Sequence, residues 1–154
     1  MNSGPTSPHA LAARQAKRQA AAEVGIDDQF VSDLVDRFYE RVRGDEALGP
    51  IFEEHVSNWP VHLGQMKRFW RSVLFSSGEF FGSPMARHMA IPGLDRPLFV
   101  RWLELFASTL DELGSAEARE HVHENARRIA NSLLNGILIQ REGGLGLRAD
   151  QELT

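Results

Sequence analysis

The stretch Gly82-Ser83-Pro84-Met85-Ala86-Arg87-His88-Met89-Ala90-Ile91-Pro92-Gly93-Leu94-Asp95-Arg96-Pro97-Leu98-Phe99-Val100-Arg101-Trp102-Leu103-Glu104-Leu105-Phe106 decides how the rest of the chain is read. Ser83 is placed to cap a helix with Pro84 in its first turn, where the missing N–H costs nothing. That helix has room for about two turns before Pro92-Gly93 stops it. His88 lies in its middle. Asp95 and Pro97 then open a longer helix, expected over 96–113, with Phe99, Trp102 and Phe106 along one face and Gly114 at its end. An imidazole on a short, proline-bounded helix beside an aromatic stripe suits a metal-centred group. On its own it also reads as an ordinary core or surface residue.

Upstream, a helix is expected from Ser57 or Asn58 to about Ser76, with Pro60 in its first turn. With His62 at zero on the helical wheel, Met66, Phe69 and Val73 fall within about 40° of it, and Gln65 and Trp70 flank the stripe. A histidine thus heads an aromatic, apolar face, while Lys67, Arg68 and Arg71 point sideways or outward. Before it, Asp27 or Asp28 opens a helix carrying Phe30, Val31, Leu34, Val35, Phe38, Tyr39 and Val42, ending at Gly44. Pro50 is expected to start a helical turn that docks Ile51 and Phe52. Downstream, Ser115 caps a last helix with Val122, Ala126, Ile129, Leu133 and Ile137 on one face, broken at Gly143-Gly144. No alternating run or Asn-Gly or Asp-Gly hairpin turn signals a strand, so the chain reads as all-α. Residues 1–25 read as a flexible basic, Ala-rich extension, 26–142 as one domain, and 143–154 as a loose tail.

Composition narrows the chemistry. At 154 residues, 42% hydrophobic and 25% charged, the sequence fits one globular domain. It contains no cysteine, which removes disulfides, thiolate metal sites, iron–sulfur clusters and covalent c-type haem attachment. A net charge of −4 offers no field for nucleic acid. No run approaches the about 18 to 20 apolar residues of a membrane span, and no signal-peptide core opens the chain, so a cytoplasmic protein is expected.

The six histidines are then sorted by spacing. His9 lies in the extension. His55 and His62 are two helical turns apart, about 10 Å, and His121 and His123 diverge by about 160° on a helix. No zinc-binding spacing occurs. His62 and His88 remain, on separate helices and each beside large apolar groups. Such a pair could face opposite sides of a flat apolar cofactor, and haem meets that description. Tyr39, His62 and Trp102 are the candidate donors to a ligand on it. By spacing alone, Tyr39 and Trp102 read more readily as core aromatics with a satisfied polar tip than as ligand contacts, and His62 near a helix start could be an exposed group.

Several blocks of sequence fit together in order: Phe38-Tyr39-Glu40-Arg41-Val42; Leu48-Gly49-Pro50-Ile51-Phe52; Trp59 with His62; Phe69-Trp70; Gly82-Ser83-Pro84; His88; and Trp102-Leu103-Glu104-Leu105-Phe106. In these the chain resembles the truncated haemoglobins, specifically their third group, over most of its length but not its tails. The resemblance implies a globin-like fold, helices stacked two over two around haem b (iron protoporphyrin IX). It implies His88 as the proximal iron ligand and Tyr39 and Trp102 as distal donors, with Phe38 at the distal wall. His62 would gate or border the distal pocket, and Phe69 and Trp70 would pack against the haem. Met66 and Phe99, on the apolar stripes of their helices, complete the expected cofactor surroundings. The paired-glycine motifs of the other groups are absent from the core, as in the third group. The departures are a short stretch between Phe52 and Trp59, which bears on the reach of His62, and the basic N-terminal extension.

Two inward donors would slow dioxygen release, which suits chemistry on dioxygen better than its delivery. The expected function is binding of dioxygen, nitric oxide and carbon monoxide, with oxidation of nitric oxide to nitrate as the reaction. The sequence has no flavin or nicotinamide motif, so a separate reductase would return the electrons. The alternatives are a peroxidase-like haem enzyme and a non-catalytic all-α sensor or interaction domain.

Overall fold

A computed structural model describes residues 7–141 apart from 79, 81 and 83, and places seven α-helices and no strand among them. They are α1 (Pro8–Glu23), α2 (Asp28–Arg43), α3 (Gly49–His55), α4 (Trp59–Phe75), α5 (Pro84–Met89), α6 (Arg96–Leu110) and α7 (Ala116–Arg141). Helix α2 packs on α4, α6 on α7, and α2 on α6, so one pair lies over the other. The short α3 rests on α2, α5 on α7, and α1 on α4.

Local chemistry sets the helix starts. Asp27, Asn58 and Asp95 each accept a hydrogen bond from the backbone N–H three residues on, at Phe30, Val61 and Leu98, satisfying donors that a helix start leaves free. Ser115 does the same for Ala118 and donates its own hydroxyl to the Val24 carbonyl, tying the start of α7 to the end of α1. The expected Ser83 cap and the Gly143-Gly144 break lie outside the described residues. Helix α3 begins at Gly49, where a Cβ would stand 2.8 Å from the Arg43 carbonyl oxygen, so the chain there passes too close to α2 for a side chain.

Helix α6 ends three residues before the expected Leu113. Its last turn tightens, with Glu112 N–H donating to Thr109 O and Leu113 N–H to Leu110 O. The tightening turns Leu113 into the core, and Gly114 follows at φ 67°, a left-handed position that favours glycine.

The extension is helical over Pro8–Glu23, capped by Ser7. Most of α1 is exposed, but Ala21 is buried, and Lys17 Nζ donates to the Val73 carbonyl and the Ser76 hydroxyl at the end of α4. The core joins faces of α2, α4, α6 and α7 around fully buried Phe106, Leu34, Leu74, Leu134 and Val122. Each such side chain contributes roughly 1.5–3 kcal/mol through burial.

Candidate functional site

The first turn of α4 brings together residues from three helices. Trp59 and His62 are three apart and share a face. Tyr39, buried on α2, meets both: its ring lies 5.1 Å from that of His62 and 6.0 Å from that of Trp59. Phe52 of α3 closes the group, 5.7 Å from Tyr39 and stacked at 6.4 Å on Trp59. Phe38 stands edge-on to Tyr39 at 5.0 Å and to Trp102 at 5.3 Å, linking this cluster to α6.

Burial sets the protonation of the two titratable rings. It drives the Tyr39 hydroxyl well above the ordinary tyrosine range, so the phenol keeps its proton and can donate it to a hydrogen bond. Burial also lowers the His62 pKa, and the charge of Arg87, together with that of His88 whenever it is protonated, lowers it further. The first turn of α4 therefore lies within electrostatic reach of α5. Two polar atoms in the cluster, Trp59 Nε1 and His62 Nε2, are buried without a hydrogen-bond partner. Most buried polar groups are paired, so two such atoms on one helical turn are unusual.

On α5, half-buried His88 is oriented by its own helix. Its Nδ1 lies 2.6 Å from the Pro84 carbonyl oxygen, one turn back. A carbonyl only accepts, so Nδ1 holds the proton and donates, leaving the lone pair on Nε2. An imidazole held in this way presents a directed Nε2 ligand. Among the described residues, no three histidine, aspartate or glutamate side chains are grouped to hold a metal ion by themselves.

The expected residues divide between these surroundings and the core. Trp102 is half-buried and stacks on Phe106 at 5.3 Å, which stacks on Trp70 at 5.2 Å, a column running from the cluster into the interior. Trp70 is thereby buried. Phe69 stays half-buried, edge-on to Trp70 and to Phe80. Met66 is half-buried against the core, and Phe99 is buried in it. The sequence marks Trp59 only as part of the family pattern and Phe52 as a docked apolar residue, neither as a member of the site. The available signal was the i, i+3 spacing of Trp59 and His62, which puts both on one face of the first turn. A separate open cleft of about 370 Å³ is lined by Gly44, Asp45, Glu46, Ala47 and Arg101.

The chain resembles known proteins in sequence and in fold. The chain is 29% identical over 123 residues to the group 3 truncated haemoglobin Ctb of Campylobacter jejuni, spanning 77% of this chain and 95% of that protein. A crystal structure of a group III truncated haemoglobin from Campylobacter jejuni superposes with a TM-score of 0.70 at 29% identity, covering 73% of this chain and 91% of the other. In sequence and in fold the chain is similar to the truncated haemoglobins of group III. A group 2 truncated haemoglobin, YjbI of Bacillus subtilis, is also 29% identical, over 116 residues, 71% of this chain and 85% of that protein. No family model matches the sequence. The two-over-two stack of α2, α4, α6 and α7 is the globin-like fold expected from the sequence. No helix among its described residues is long and apolar enough to cross a membrane.

Proposed function

We propose that the protein binds haem b through His88 and uses the pocket beneath α2 and α4 to hold diatomic gases, with oxidation of nitric oxide to nitrate as its reaction. The observation that carries this reading is the pair of oriented imidazoles. His88 offers a lone pair on Nε2 because Nδ1 is engaged by Pro84, while His62 brings a buried, unpaired Nε2 within electrostatic reach of it. The unpaired polar atoms and the half-buried stripe of Met66, Phe69 and Trp102 fit a flat apolar group with a polar ligand on one side.

When bound, haem supplies a redox-active iron for diatomic gases and for the oxidation of nitric oxide by dioxygen, with the lost electron returned by a separate reductase. The chain's own residues do the rest. His88 anchors, and Phe38, Met66, Phe69, Phe99 and Trp102 exclude water, with Trp70 backing Trp102 through Phe106. Tyr39 keeps its proton and donates it toward a ligand that gathers negative charge, and His62 and Trp102 border the same side.

The test is the visible spectrum of wild type and His88→Ala, reduced, with and without carbon monoxide. A Soret band that weakens or shifts in the variant supports the reading. Failure of folded wild type to take up added hemin overturns it.

A further inference from the structure

Trp59, one of whose atoms is unpaired, has a setting of its own. The residue opens α4, fixed by the Asn58 cap. The Arg43 guanidinium lies over its ring, 4.4 Å from the centroid, and Arg43 Nε donates in turn to Glu53 Oε1 at 3.3 Å. Phe52 stacks nearly parallel to it, 26° between planes. Its ring is therefore held by contacts from α2 and α3 as well as by its own helix. Despite this fixing, Nε1 is buried without a partner, on the same turn as the unpaired Nε2 of His62 and beside Tyr39.

An indole nitrogen can only donate. Whatever satisfies it must accept, and Tyr39 next to it retains a proton of its own. The shared requirement of these groups is a small guest bearing lone pairs or negative charge. We propose that Trp59 is a further hydrogen-bond donor to the ligand in this pocket, selecting acceptor ligands such as dioxygen and small anions over carbon monoxide, and that Arg43, seated by Glu53, is its positioning residue. The proposal rests on the haem reading. Trp59→Phe removes the N–H and keeps a smaller aromatic ring in the place that faces Phe52 and Arg43.

The experiment uses hemin-loaded full-length protein. In Trp59→Phe the carbon monoxide stretch moves to higher wavenumber and dioxygen leaves about fivefold faster. In wild type labelled with nitrogen-15, cyanide bound to the ferric protein slows exchange of the Trp59 indole proton at least tenfold. That arm does not depend on the variant folding, since Trp70→Phe and Trp102→Phe assign the resonance by elimination. Arg43→Leu splits the carbon monoxide band as the indole loses its fixed orientation, and Arg43→Lys, which keeps a cation over the ring, restores one band. An unmoved stretch together with unchanged indole exchange, in protein that binds haem normally, overturns the proposal and leaves the haem reading standing. Absence of haem uptake by wild type overturns both.

Discussion

The two ends of α4 are built on opposite principles. At the C-terminal end Trp70, Leu74 and Phe75 are buried, Trp70 stacks on Phe106, and Arg18 lies 4.8 Å over the Phe75 ring. The Val73 carbonyl and the Ser76 hydroxyl are engaged there by Lys17, a residue more than fifty positions away. At the N-terminal end, equally large rings enclose two buried polar atoms with no partner. A fold gains nothing by leaving a buried donor unpaired, so the first end is explained by stability and the second is not. On the proposed function, one helix thus carries a structural half and a binding half.

The largest expected effect separates these halves. Phe106 is fully buried between Phe38, Trp70 and Trp102, so Phe106→Ala removes the centre of the aromatic column. It is expected to lower stability by about 3–5 kcal/mol, measured by denaturant unfolding. His62→Phe, changed at the binding end, is expected to leave stability equal or higher, because an unpaired buried nitrogen is exchanged for an apolar ring. A stability loss at His62 equal to that at Phe106 would erase the distinction.

Next in size is Tyr39→Phe, which keeps the ring against Phe38, Phe52 and Trp59 and removes its hydroxyl. With haem bound, dioxygen release is expected to accelerate by about 10- to 150-fold, the worth of one hydrogen bond to a charged group. Stopped-flow displacement by carbon monoxide measures it, and an unchanged rate would return Tyr39 to the structural half.

How far the sequence anticipated this division depends on which signals are local. The caps at Asp27, Asn58, Asp95 and Ser115, and the stripes they introduce, are written in neighbouring residues, and so helix order was legible. Elimination among six histidines singled out His62 and His88, and the structure brings them within electrostatic reach of each other. The end of α6 was not legible, because the turn after Leu110 is set by Leu113 reaching the core and not by a breaker. Nor was the seat of Trp59: the residues that hold it, Arg43 and Glu53, come from other helices, and no spacing rule connects them. The same holds for Lys17, whose partners are visible only once α1 lies on α4.

A smaller effect concerns the turn after α2, outside both halves. The Asp45 carboxylate accepts from the N–H groups of Ala47 and Leu48 and from Arg101 on α6. The Arg101 hydrogen bond holds its pKa below the ordinary 3.8, so Asp45 adds stability that is fully present above about pH 4 and is lost as pH falls through the lower folded value. Asp45→Ala is expected to cost about 1–2 kcal/mol at neutral pH, as for a lost helix cap. Asp45→Asn should flatten the acid limb of the stability profile, and thermal melts from pH 2 to 7 compare the three proteins.

The smallest effect is the most direct test of what holds the structural end of α4. Lys17 places a cation on the last carbonyls of a helix, where backbone dipoles leave partial negative charge, and it does so from an exposed side chain. Exposure means screening, so Lys17→Met, which keeps the aliphatic stem, is expected to cost at most about 1 kcal/mol in dilute buffer and less in 1 M salt. The carbon monoxide stretch should not move, since no polar atom of the Tyr39, Trp59 and His62 cluster is touched. If the stretch did shift, the two ends of α4 would be mechanically coupled, and α1 would belong to the binding half as well as to the fold.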